Sequence, residues 1–526
     1  MDDFEAESFA ETLSRAQDHE RIKLIEKLDG YVTNASSREI RKHFQTSVVS
    51  ALLSSSRVSI EEKDAIRSIL KRLAVQLPAG QLFKSCRIEL LAALRDSSAD
   101  IKEIVLNVMT HCLTVCAGTT IADASQTCSE LVSNGSPLLI AAVRCIGDAE
   151  TSVTMSATGV FMAVLQLPSG PVILFCSNEL CAEFKVLANH SDSVVRFRVY
   201  ELAAKFSSVS KDILDHVLKL GILQKLIVEL DNSSDILCQL NALEILTEMA
   251  TDSDQGLRYL HSQGVVEQLH KMFDHCRNSP DGGFIFEAVI KFFGKLSRYN
   301  ASGVIKRYPL FLSTVFDLAT NWSVLDISLR NLAFDTLAAI ASTPNGKLVL
   351  GETGDAMKPV VESWALACLN GPIELRVRQQ HAFAELMRYC PNDSDISFDA
   401  NRMYELTERW FLWFHKQPTE ILFTLFKQPL PEVHRSSGDI IEAISWFSWA
   451  QRLLAAQPGF LEYLLDRSTA LTMESRYVKY SIVKAFAESS TAKSALDSNW
   501  MPKILEYYKQ GPHFVSALTQ IALEES

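Results

Sequence analysis

The sequence predicts an all-α fold: an armadillo/HEAT-type α-solenoid of about ten helical repeats, curved with a concave inner face. Three observations carry this prediction. Turn formers are scarce, with 21 glycines and 16 prolines among 526 residues. Apolar residues recur at helical spacing along most of the chain. A unit of roughly 40–55 residues repeats. A chain of this length exceeds one compact core, and an array in which each repeat packs only on its neighbours houses it naturally.

The clearest unit opens at Gly221 with Ile222-Leu223-Gln224-Lys225-Leu226 and breaks at Asp231-Asn232-Ser233-Ser234-Asp235. A long amphipathic stretch from Ile236 to Ala250 follows, then a short one holding Leu257, Tyr259 and Leu260. The next unit opens at Gly264, 43 residues after Gly221. Both glycines are expected at helix ends, where positive φ costs glycine nothing. The long stretch carries an armadillo-like core pattern as Ala242-Leu243-Glu244-Ile245-Leu246-Thr247-Glu248-Met249-Ala250, and again as Ala333 to Ala341.

Residues 1–140 are read as divergent N-terminal helical repeats that cap the array, with third helices around Arg67 and Asn107. Residues 141–395 form the central armadillo-like repeats, with third helices around Gly159, Glu201, Glu244, Lys291, Asp335 and Ala384. Residues 396–526 form irregular HEAT-like repeats and a cap, around Asp439 and Ser481. Pro280-Asp281-Gly282-Gly283 and Pro391-Asn392-Asp393-Ser394-Asp395 read as exposed loops. The aromatic run Trp410-Phe411-Leu412-Trp413-Phe414 reads as a buried helix, with a partner-binding patch as the alternative.

The formal charge of −12 disfavours general nucleic-acid binding, which rests on Lys and Arg neutralising phosphates. No apolar run reaches the roughly 18 residues of a membrane span. The acidic start Met1-Asp2-Asp3-Phe4-Glu5 lacks the basic region of a secretory signal. Eleven scattered cysteines fit reduced thiols. Together these predict a cytoplasmic protein, with the nucleus as the other permitted compartment, monomeric when free.

A phosphate loop, an H-E-x-x-H zinc motif and a G-x-S-x-G elbow are all missing. Gly346-Lys347 in Thr343-Pro344-Asn345-Gly346-Lys347 reads as a turn. His111, Cys112 and Cys116 form one small cluster, and His270, His275 and Cys276 another. Neither has the second half that completes a zinc shell. No catalytic residue, metal or cofactor is expected, and the chain is read as a non-enzyme.

A solenoid binds along its third helices. The core pattern leaves a second stripe for the groove, stepping i, i+4, i+8. It comprises Phe197, Glu201 and Lys205; Leu240, Glu244 and Glu248; Glu287, Lys291 and Lys295; Asn331, Asp335 and Ala339; and Gln380, Ala384 and Arg388. Its mixed charge suits a folded helical partner better than an extended basic peptide. Arg196 and Arg198 flank the stripe, either to meet acidic partner groups or to tie repeats through Glu201 or Asp235.

Ordered stretches along about residues 145–515 carry a family resemblance. They include Val195-Arg196-Phe197-Arg198-Val199-Tyr200-Glu201-Leu202, Lys291-Phe292-Phe293-Gly294, Arg307-Tyr308-Pro309 and Pro372-Ile373-Glu374-Leu375-Arg376. Further on stand Gln428-Pro429-Leu430-Pro431-Glu432, Trp449-Ala450-Gln451, Pro458-Gly459-Phe460-Leu461-Glu462-Tyr463 and Asp466-Arg467-Ser468. In these the chain resembles the 26S proteasome non-ATPase regulatory subunit 5 family of assembly chaperones. The resemblance implies a solenoid that binds the C-terminal helical domain of a proteasomal AAA+ ATPase subunit. It implies that ATPase subunits and a base scaffold subunit are held during assembly of the regulatory-particle base, and that premature docking on the core particle is hindered. The competing expectation is a general armadillo adaptor of the nuclear-import or catenin type. Such an adaptor should show a regular asparagine ladder, of which Asn331 alone is an echo.

Overall fold

The computed structural model describes residues 6–16, 18–36, 38–40, 46–53, 60–76, 81–96, 98–118, 137–231, 235–277, 283–388, 400–470 and 472–514. Every regular element among the described residues is helical, and the all-α solenoid is confirmed. The chain divides into two compact units, Met1–Val265 and Val266–Ser526.

In the first unit the long helices are α1 (Asp18–Asn34), α2 (Ile60–Gln76), α3 (Ala99–Ala117), α4 (Thr151–Leu165), α5 (Ser193–Val209) and α6 (Ile236–Asp252). Helices α1 to α4 pack each on the next, and α5 packs on α6. Between α4 and α5, Phe184 of the Asn178–Leu187 helix sits edge-on to both Phe161 and Phe206. A second row of shorter helices runs alongside: Thr46–Leu53, Arg87–Asp96, Pro137–Cys145 and Asn178–Leu187. The expected third-helix centres Arg67, Asn107, Gly159, Glu201 and Glu244 fall inside α2 to α6 in order.

The second unit repeats the plan with α7 (Gly283–Arg307), α8 (Ile327–Ala341), α9 (Ile373–Met387), α10 (Pro431–Ile444) and α11 (Met473–Glu488), each packed on the next. Its second row holds Pro309–Thr320, Met357–Asn370, Ala400–Phe414 and Ser448–Ala456. Helix α7 bends at Asn300, whose φ of −144° and ψ of 68° leave the helical region. The core lies between the two rows. Ala242, Leu243, Leu246 and Met249 of α6 are buried, as are Ala333, Leu337 and Ile340 of α8. Trp410, Phe411 and Phe414 are buried too, while Leu412 faces solvent.

Local sequence explains where helices begin. Asp192, Asp235, Asp326 and Thr472 each accept a backbone N–H in the first turn of α5, α6, α8 and α11. Gly221 and Gly264 take φ of 74° and 72°, the left-handed region expected of them. One expectation changes. Thr343-Pro344-Asn345-Gly346-Lys347 opens the Pro344–Glu352 helix instead of forming a turn. Thr343 Oγ1 accepts the Gly346 N–H at 3.1 Å, and a Cβ on Gly346 would lie 1.7 Å from the Ile340 carbonyl. Only glycine lets this helix start so close under the end of α8. The Pro391–Asp395 loop and residues 280–282 lie outside the described residues.

Candidate partner-binding surface

The surface of each long helix follows from its core phase. On α5 the outward positions are Val194, Arg198, Glu201 and Lys205, a step alternating four and three. On α6 they are Leu237, Asn241, Glu244 and Glu248. Phe197 is therefore not a surface residue: it is 8% exposed and packs against Tyr200. Gln380 is fully buried, donating to the Cys368 carbonyl at 2.9 Å and accepting from Ser436 Oγ at 2.6 Å. Ala384 is buried as well. The expected stripe stepped four residues each time. That step drifts about 40° per interval on a helix of 3.6 residues per turn, so it enters the core at one end. Leu240, Glu287, Asn331, Asp335, Ala339 and Arg388 are half-buried, and Glu244, Glu248, Lys205, Lys291 and Lys295 are exposed.

In the first unit the outward face of α6 is acidic, with Glu244 and Glu248 exposed. Glu201 pairs with Lys205 at 2.5 Å. Partial burial, then the nearby Glu201, Glu244 and Asp252 carboxylates, push the Glu248 carboxyl up from its ordinary value. Arg196 and Arg198 act within the protein. Arg196 donates to Glu229 at 3.1 Å, and Arg198 to the carbonyls of Ile146 and Asp148 at 3.2 and 2.5 Å. Their partners are Glu229 and backbone rather than Glu201 or Asp235.

In the second unit most charges on this face are spent between neighbouring helices. Asp335 of α8 pairs with Arg378 of α9, and Asn331 accepts from Gln379 at 3.2 Å. His381 of α9 lies 2.7 Å from Asp439 of α10, and Arg388 pairs with Glu442. Arg435 of α10 reaches Glu474 of α11 at 2.8 Å. Glu287 of α7 accepts from Ser328 of α8. Helix α7 differs from the rest. Lys291, Lys295 and Arg298 are exposed, and none of the ion pairs among the described residues involves them.

A further feature was not read from the sequence. An exposed apolar residue stands at the start of one long helix after another: Val194, Leu237, Phe284, Ile327 and Met473. The available signal was an apolar residue at the first or second position of each of these helices, outside the core phase.

Among the described residues no group of three His, Cys, Asp or Glu could hold a metal ion, and no single helix is long and apolar enough to cross a membrane. Burial pushes the Cys86 and Cys145 thiols up to about 12 and about 11, so both are protonated at neutral pH. A cavity of about 340 Å³ lies beside α10 and α11, lined by Lys427, His434, Tyr463, Thr472 and Glu474. His434 is held there with Nδ1 2.6 Å from the Phe426 carbonyl, and burial lowers its pKa.

The proteasome non-ATPase 26S subunit family matches residues 5–526, almost the whole chain. The chain belongs to the proteasome non-ATPase 26S subunit family. Within that family, the human 26S proteasome non-ATPase regulatory subunit 5 is 29% identical over 458 residues, covering 87% of this chain and 86% of its own length. The Drosophila melanogaster protein of the same name is 25% identical over 340 residues, 63% of each chain. Among solved structures, importin beta superposes with a TM-score of 0.55 at 13% identity, covering 94% of this chain and 58% of its own. That likeness speaks to the fold of this family member alone.

Proposed function

We propose that this protein is an assembly chaperone of the proteasome regulatory particle, and that it is not an enzyme. It binds the C-terminal helical domain of a proteasomal AAA+ ATPase subunit while the base is assembled with its scaffold subunit, and it hinders premature docking on the core particle. The observation that carries this reading is family membership over nearly the full chain, joined to long helices that present charged and apolar residues to solvent. The human and Drosophila relatives bear the name of a proteasome regulatory subunit, which supports a reading with proteasomal components as clients.

The mechanism is steric and thermodynamic. A bound chaperone lowers the free energy of the subunit state it holds, and it leaves when a competing subunit interface covers the same surface. The site of action is cytoplasmic. Affinity purification of the full chain followed by mass spectrometry tests the reading. Proteasomal ATPases and base scaffold subunits should be recovered without core-particle subunits. Recovery of nuclear-import cargo, or of no proteasomal subunit, removes it.

A further inference from the structure

Helix α7 carries a row of unpaired cations, whereas α8 to α11 pair most charges of this face with a neighbouring element. From α8 to α11, Asp335 pairs with Arg378, Arg388 with Glu442 and Arg435 with Glu474 across helix boundaries, and His381 lies 2.7 Å from Asp439. On α7 the one acidic group of this face, Glu287, is tied to Ser328. Lys291, Lys295 and Arg298 stand in a row on the same face, exposed and without an acidic partner. Their spacing of four and three residues puts them within roughly 10 Å of helix length. Three like charges at one-turn spacing repel one another, and no ion pair among the described residues offsets this.

The same face carries apolar surface that water should not favour. Phe284 is 69% exposed two turns before Lys291, and Tyr299 is 65% exposed beside Arg298. Ile327, which opens the neighbouring α8, is 72% exposed. Apolar residues interleaved with unpaired cations are the composition of a binding surface rather than of a solvated helix face. Charge complementarity fixes the sign of what covers it.

We infer that the Phe284–Tyr299 face of α7 docks an acidic amphipathic helix of a partner protein, its carboxylates spaced four and three residues apart to meet Lys291, Lys295 and Arg298, and its apolar side chains seated on Phe284 and Ile327. The inference rests on the reading that these helices bind a folded partner, and it adds the sign, spacing and secondary structure of that partner. Coulomb attraction at this solvated face is screened by salt, so the affinity falls as ionic strength rises.

The test uses the full chain and two synthetic helical peptides of equal length. One carries leucine near one end and three glutamates at the stated spacing, and the other carries lysines at those three positions. The wild-type chain binds the glutamate peptide at least about tenfold more tightly than the lysine peptide. In the triple reversal Lys291→Glu, Lys295→Glu, Arg298→Glu the preference inverts, and Phe284→Ser weakens both pairings. All four positions are exposed, and an unchanged helical circular dichroism spectrum and melting temperature confirm folding. If the triple reversal fails that check, Lys295→Glu alone serves, with a smaller loss of preference. Equal binding of the two peptides by wild type, or an unaltered preference in the folded charge-reversal variant, overturns the inference. The outcome separates from the proteasomal reading. Discriminating peptides with no proteasomal subunit recovered leave the surface standing and remove the client. Equal recovery of proteasomal ATPases by wild type and triple reversal does the opposite.

Discussion

At the scale of the residue, the exceptions to ordinary burial are the informative positions. Lys347 is fully buried, with its ammonium donating to the carbonyl of Ala341 and, at 2.9 Å, to that of Glu385. It ties the end of α8 to α9. Burial lowers its pKa to about 7, Glu385 raising it and Arg388 lowering it further. An unfolded lysine titrates near 10.4. Between those values the unfolded chain binds more protons than the folded one, so stability rises with pH from about 7 to about 10 and is lost as pH falls back toward 7. Lys347→Met removes this dependence and leaves two carbonyls short of a donor, at a cost of about 1–3 kcal/mol. Urea denaturation of both chains at pH 7 and pH 9.5 should show the gap widening in favour of wild type at the higher pH. Parallel curves would contradict the burial argument. The sequence hid this lysine because Gly346-Lys347 looked like a polar turn. Phe197 and Gln380 were misplaced for a related reason. A phase error of one position moves a helical residue by 100°, enough to exchange surface for core.

At the scale of the element, the repeat was legible because each long helix follows its own core pattern and cap. Ala242, Leu243, Leu246 and Met249 are buried as their spacing requires, and Asp235 caps the helix they belong to. What the sequence could not show is how closely neighbouring helices approach, since that depends on pairs far apart in the chain. Gly438 is the sharpest case. A Cβ there would sit 2.3 Å from Val478 Cγ1 of α11 and 3.1 Å from the Phe426 ring. Gly294 of α7 is milder, with Thr336 Cγ2 at 3.1 Å. Helix propensity alone predicts that Gly→Ala stabilises either helix by about 1 kcal/mol. At Gly438 overpacking outweighs this, and Gly438→Ala should destabilise the chain by about 1–3 kcal/mol. At Gly294 the two effects nearly cancel. Thermal melts of the two variants decide it, and a higher melting temperature for Gly438→Ala would show that α10 and α11 can part at little cost.

At the scale of the molecule, a solenoid has no single core to fail. Stability is close to a sum of repeat terms and nearest-neighbour interface terms, so a defect should stay near the repeat that carries it. The ion pairs follow the same logic. Lys63 of α2 reaches Asp100 and Glu103 of α3, and Arg435 of α10 reaches Glu474 of α11, in each case one repeat on. Such half-exposed pairs contribute little singly, roughly 0–1 kcal/mol each, and serve chiefly to fix register between helices. The division into Met1–Val265 and Val266–Ser526 makes the expectation concrete. Gly438→Ala loosens the packing of α10 against α11, and backbone amides there should exchange with deuterium faster than in wild type. Amides of α2 and α3 in the first unit should keep their wild-type rates, because no interface they share has changed. Hydrogen exchange read by mass spectrometry resolves both regions in one experiment. Acceleration spread evenly over both units would mean that the chain unfolds as one cooperative body, and the nearest-neighbour description would fail. Local acceleration would also protect the partner-binding argument, since a variant in α10 could then lower stability while leaving the α7 face folded and able to discriminate the two peptides.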